Sequence, residues 1–256
     1  MKTIHISKVL ILSILLSPVF ICCKKSSATN DGDSNTGTTA DLTIYKKLYG
    51  ATSVSQDGSY VVIKSNGMPD HKSPYYQGTQ WAATLYEASN GSNSSFVLNP
   101  NRISSQSLTF RIPLNPKAAT SKSATPGGPI GVSLNGVPFF NQYAAMNAPL
   151  TGEINSFDQY LGHPQQQGQY HYHIEPTYLT GSKGKAALLG FLLDGFPVYG
   201  PTENNTAVIN SQLDAYHGHT GATAEYPGGI YHYHITAADP YINGNGFYGT
   251  PGTVTN

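Results

Sequence analysis

From Ser107 to Ile112 the chain alternates, with Leu108, Phe110 and Ile112 on one side and Ser107, Thr109 and Arg111 on the other. That period of two is the signature of a half-buried strand. Tyr60 to Lys64 predicts a second strand, and Pro113 and Pro116 end the first. The run from Ala118 to Pro129, rich in Ser, Thr, Lys, Gly and Pro, predicts a surface loop separating these strands from the second half of the chain.

Beyond that loop the pattern occurs twice. Gly131-Val-Ser-Leu-Asn-Gly-Val-Pro-Phe-Phe140 matches Gly190-Phe-Leu-Leu-Asp-Gly-Phe-Pro-Val-Tyr199. Each predicts a strand, a tight Asn-Gly or Asp-Gly turn and a Pro-limited strand. Asn155 to His163 matches Asn210 to His219 with one insertion, and each predicts one helical turn. Ser156 or Ser211 would be its N-cap, with Gln159 or Asp214 three residues on and Gly162 or Gly218 closing it. Gln169-Tyr-His-Tyr-His-Ile174 matches Ile230-Tyr-His-Tyr-His-Ile235. Three blocks in one order point to a tandem duplication, with units near 131–176 and 190–236 related by a pseudo-two-fold axis. The expected fold is mostly β: a β-sandwich or two packed small antiparallel sheets with a few short helices.

Composition narrows the class. Charged residues make up 11% of the 256 and cancel to a net charge of zero, which argues against a nucleic-acid surface. With 27 Gly, 17 Pro and 18 Tyr, turns and half-buried strands are favoured over exposed helices, and a coiled coil is excluded. Lys2 and Lys8 precede an apolar run, Val9 to Ile21, too short to span a bilayer, and Cys22 and Cys23 come directly after it. This resembles a bacterial lipoprotein leader: residues 1–22 a signal peptide, Cys23, with Cys22 the second candidate, the lipidated first residue and 23–41 a flexible tether; the alternative is a plainly cleaved signal peptide. The expected setting is extracytoplasmic (periplasm, outer membrane or cell surface), with the membrane reached through the lipid and residues 42–256 forming the domain. Neither cysteine lies within residues 42–256, so the domain has no disulfide.

Six of the nine histidines align in the repeat: His163, His171 and His173 with His219, His232 and His234. Residues two apart on a strand point the same way, so each His-x-His pair can converge on one ion while the tyrosines face the other side. A third imidazole from a preceding loop completes a three-histidine metal site with an open position. The glycine before His163 and before His219 would let that loop approach the strand. Imidazoles without thiolate suit a transition metal, Cu, Zn or Fe, over Ca or Mg. Asp158 and Asp214 are candidates to orient the imidazoles from behind. His71 is a possible further ligand, and His217, aligned with Leu161, is read as incidental. The alternatives are a metal-free site using some imidazoles as acid or base, and strands whose histidines are purely structural.

The blocks at 169–174, 193–201 and 230–235, together with Gly162-His163, Leu213 to His219 and Ser65-Asn-Gly-Met-Pro-Asp-His71, resemble the YHYH domain family of bacterial secreted proteins and lipoproteins. The resemblance implies an extracytoplasmic setting and carries no established activity. Relatives often carry Cys where this chain has Tyr160 and Tyr216, so no disulfide or thiolate role transfers. Three function classes remain. A hydrolase or oxidase would need a general base in a cleft, with Asp158, Asp194, Asp214 and Glu225 as candidates. Metal capture or delivery needs only the ligands, and a scaffold needs neither. One ion per repeat and a dinuclear centre at the axis are both compatible with the sequence.

Overall fold

The computed structural model describes residues 41–256; the expected leader, Cys23 and all but the last residue of the tether lie outside the described residues. The chain is mostly β, with sixteen strands among the described residues. Strands β1 (Ala51–Asp57), β2 (Tyr60–Ser65) and β3 (Leu108–Pro113) open it, with the one-turn helix α1 (Ala82–Leu85) between β2 and β3. Next come β4 (Ala118–Ser123), β5 (Gly131–Ser133), β6 (Pro138–Phe139), β7 (Gly162–Pro164) and β8 (Tyr170–Tyr172). After helix α2 (Thr177–Lys183) come β9 (Leu188–Leu192), β10 (Pro197–Tyr199), β11 (Thr202–Glu203), β12 (Thr206–Ala207), β13 (Gly218–Gly221) and β14 (Ile230–His234). The chain ends on β15 (Phe247–Gly249) and β16 (Thr253–Thr255).

β1, β2, β3 and β16 form an antiparallel four-stranded sheet in that order. The alternation from Leu108 to Ile112 is expressed there: Leu108, Phe110 and Ile112 are buried while the residues between them are half-buried. The segment expected to be a loop, Ala118 to Pro129, instead begins with β4, which pairs antiparallel with β15. Its partner lies more than a hundred residues away in sequence, so no local pattern marks it. The expected helical turns are 3-10 turns over Ile154–Ser156 and Asn210–Gln212. Ser156 and Ser211 lie within these turns rather than capping them, and Gly162 and Gly218 open the next strands.

The larger sheet has eight strands in the order β13-β14-β10-β9-β5-β6-β8-β7. Outward from the antiparallel β9–β5 pair, both sides give the same succession, namely the Pro-limited strand, the Tyr-His-Tyr-His strand and the Gly-His strand. The sheet is mixed, because β6 runs parallel to β8 and β10 to β14. One core joins the two sheets: Ile63 and Phe110 of the smaller and Val132, Phe139 and Phe191 of the larger are all buried in it. Gly50 N–H donates to Leu134 O and Ser65 Oγ–H to Gly136 O across the junction.

Close approach decides two glycines. A Cβ on Gly162 would lie 2.6 Å from the Tyr170 ring, and one on Gly218 would lie 2.5 Å from the Tyr231 hydroxyl and from His232 O. Only glycine lets the Gly-His strand lie flat against its tyrosine. Gly162→Ala is expected to lower unfolding stability by about 1–3 kcal/mol, the usual cost of overpacking a filled site. Gly152→Ala, whose Cβ would meet nothing within 4 Å, serves as the neutral control in the same denaturation measurement. Equal stability of the two variants would contradict this packing account.

Candidate metal centres

β7 and β8 in the first half, and β13 and β14 in the second, place the histidines. In the β7–β8 ladder His163 pairs directly with His171, and in β13–β14 His219 pairs with His232. His173 and His234 stand two residues further on, on the same face. Nε2 of His171 lies 3.1 Å from that of His163 and 2.9 Å from that of His173, and His219 and His232 approach to 3.0 Å. A tetrahedral site with bonds of 2.0–2.1 Å has edges of about 3.3 Å, so the nitrogens already stand near ligand spacing. His163, His171 and His173 form one group able to hold a metal ion; Glu203, His219, His232 and His234 form the other. Their strands β8 and β14 are five interstrand steps apart in the sheet, roughly 24 Å at about 4.8 Å per step. The groups are therefore two separate positions, and the dinuclear alternative falls.

What faces the other ring nitrogen fixes the protons. His171 Nδ1–H donates to Gln169 O and His173 Nδ1–H to Asn141 O; His232 and His234 donate likewise to Ile230 O and Gly200 O. A carbonyl only accepts, so in each neutral ring the proton sits on Nδ1 and Nε2 presents a lone pair. Ser156 Oγ–H is committed to Glu153 O, so His163 Nδ1–H donates to Ser156 Oγ, and His163 Nε2 is a lone pair as well. The first group thus aims three lone pairs at one point. In the second, buried His234 Nε2 has no hydrogen-bond partner among the described residues.

Protonation does not relieve this crowding near neutrality. Burial first, and then the neighbouring histidine, push His163 down to about 3. Burial likewise pushes His173 and His234 down to about 4, and His171 well below its ordinary value. Phe140 stacks on His171 at 3.9 Å between centroids, and Phe157 meets His163 at 4.7 Å, so apolar rings wall the first group.

The opposite face belongs to the tyrosines, and here the expected roles of the carboxylates change. Tyr170 and Tyr231 hydroxyls donate to Asp158 and Asp214. Tyr233 donates to Asp194, while Tyr172 accepts from Asn135. Asp158 and Asp214 also accept the backbone N–H of Tyr160 and Tyr216, closing the turns that lead into the Gly-His strands. They therefore hold tyrosines rather than orienting imidazoles. Of the general-base candidates Asp158, Asp194, Asp214 and Glu225, Glu225 is engaged by Tyr199 and Lys47, and none of the four joins either group. His71 is also on the tyrosine side, with Nε2 3.2 Å from the Tyr172 hydroxyl and its ring against Tyr160 and Tyr178. His217, like Leu161, takes a left-handed backbone in its turn and hydrogen-bonds to Thr236.

Two carboxylates that the repeat does not mark stand at the histidines. Glu153, between two 3-10 turns, reaches His163 Nε2 at 3.5 Å and His173 Nε2 at 3.7 Å. Glu203 reaches His219 Nε2 at 3.6 Å and His232 Nε2 at 3.7 Å. They occupy non-aligned positions, ten residues before His163 and sixteen before His219, so comparing the copies does not reveal them. The one local signal is Asn204-Asn205, both left-handed, the turn that makes the β11–β12 hairpin carrying Glu203.

Proton linkage gives a stability test on metal-free protein. A histidine held neutral on folding lets the unfolded chain bind more protons below its ordinary value of 6.5, so stability falls on acidification through the window down to about 4. The slope approaches about 1.4 kcal/mol per pH unit for each such group. Asp194, raised by burial to about 6, works in the opposite direction. Seven histidines are lowered against three raised carboxyls, Glu153, Asp158 and Asp194, so the histidines dominate. Thermal melts after chelation should be level above pH 7 and fall steadily from 6.5 to 4. A level profile across that window would contradict the burial argument.

Among known proteins, the sequence model of the family described as "YHYH protein" matches residues 109–210 and 202–246, just over half of the chain. No curated protein and no solved structure matches.

Proposed function

The chain belongs to the YHYH protein family, and we propose that each of its two Tyr-His-Tyr-His strands holds one transition-metal ion in a mononuclear three-histidine centre, on a lipoprotein tethered outside the cytoplasm. The convergence of three Nε2 lone pairs in the first group, with each of its Nδ1 protons already committed elsewhere, carries the reading. Repelling lone pairs 3.1 Å and 2.9 Å to either side of His171 Nε2 need a cation between them. A proton is a poor one, since burial holds these rings neutral. All-imidazole donors with a nearby carboxylate and no thiolate suit zinc, copper or iron. Carbonyl and hydroxyl acceptors behind the rings are the usual outer support of metal-bound histidine.

The equal succession of strands on both sides of β5 and β9 supports descent of the two centres from one doubled unit. The basic, apolar and Cys22-Cys23 stretches of the leader support the extracytoplasmic setting, with Cys23 as the lipid-bearing residue.

Elemental analysis of the tag-free protein tests the proposal. Two metal ions per chain are expected, falling to one when His171 and His173 are both changed to Ala and to one when His232 and His234 are. Chelation should lower the melting temperature, since an ion that binds only the folded state stabilises it. No bound metal, together with melting that a chelator leaves unchanged, would refute the proposal.

A further inference from the structure

Resting on that metal-binding reading, we infer that the two centres are built for different work. The first keeps an open coordination position that takes an uncharged, hydrogen-bonding ligand from a cleft; the second is closed by Glu203 as a fourth ligand. The carboxylates separate them. One Glu203 oxygen lies within 4.8 Å of the ligand nitrogens of all three of its histidines, so the second group is complete as three imidazoles and a carboxylate. The first group consists of its three histidines alone: Glu153 Oε2 lies 3.5 Å and 3.7 Å from the Nε2 atoms of His163 and His173, but no Glu153 oxygen is within 4.8 Å of all three nitrogens. Closed four-ligand sites are the structural kind, and three protein ligands with a vacancy are the kind that take substrate.

The surroundings differ in the same sense. The first group opens on a cleft of about 880 Å³, the second on one of about 370 Å³ that Glu203 itself lines. The larger cleft is walled by carboxamides, among them Asn99, Asn101, Asn141 and Gln165, and no Lys or Arg lines it. Asn99 and Asn101 both donate to Pro164 O, and Asn141 to Pro126 O, so these amides are held in place. A wall of neutral side-chain donors and acceptors, with Glu153 as its one acidic side chain, favours uncharged amide- or hydroxyl-bearing molecules over anions. Such a molecule would be polarised by the ion at the vacancy, with Glu153 placed to accept a proton beside it.

Cobalt(II) substitution of the full chain separates the two centres without assuming an activity. The probe is imidazole, an uncharged hydrogen-bonding ligand at mildly alkaline pH, monitored through the visible cobalt spectrum. With two cobalt ions bound, imidazole should shift the absorbance of one and leave the other unchanged. The shift should vanish in His171→Ala and persist in His232→Ala. Glu203→Gln, which keeps all six histidines, should make the second cobalt respond as well. The inference is overturned if two bound cobalt ions both respond or both stay silent in the unmodified chain, or if the response persists in His171→Ala. A chain that binds no cobalt overturns it together with the metal reading beneath it, and stoichiometry tells that failure from the others.

Discussion

The bond from each strand histidine's Nδ1–H to a backbone carbonyl is the interaction on which the rest depends. It turns the ring, chooses the tautomer and leaves Nε2 as a bare acceptor facing its neighbours. Were these nitrogens facing hydroxyls free to donate, the rings could pass protons among themselves and form an ordinary hydrogen-bonded cluster. Carbonyls forbid that. The two within the strands come from residues two earlier, Gln169 and Ile230, while the other two come from Asn141 and Gly200, just beyond the Pro-limited strands. The hairpins that begin each half therefore supply the acceptors that set the chemistry at its end.

The same strands have an opposite face, and its tyrosines explain why the motif needs four residues rather than two. Tyr170 and Tyr172 are wholly buried, and their hydroxyls are held by Asp158 and Asn135; Tyr231 and Tyr233 repeat this with Asp214 and Asp194. A buried hydroxyl without a partner would be costly. The polar residue of each Asn-Gly or Asp-Gly turn thus satisfies a tyrosine as well as making the turn. With the tyrosine face pinned, the strand cannot slip by one residue, and a slip of one would carry the histidines away from the site.

Much of this was legible before the fold. Period two placed Leu108, Phe110 and Ile112 in the core and His171 beside His173, and the alignment of the copies brought in His163 and His219. What was not legible has physical reasons. Glu153 and Glu203 reach the histidines from unrelated loops, through contacts that obey no period. The strand β4 exists only because β15 pairs with it from far along the chain. Asp158 and Asp214 stand out in the sequence as candidates to orient imidazoles, but no sequence pattern tells which face a turn carboxylate serves. His71 is a possible ligand on sequence alone, whereas the folded loop buries it against tyrosines.

The central claim is that Nε2 atoms of three histidines, with those of the Tyr-His-Tyr-His strands protonated on Nδ1, surround one cation at each end of the large sheet. Anomalous diffraction at the absorption edge of the metal carried by the purified protein tests it most directly. The account predicts two peaks, each about 2.0–2.1 Å from three Nε2 atoms if the ion is zinc. A difference map with no anomalous peak at either group, or with peaks bound through Nδ1, would contradict it.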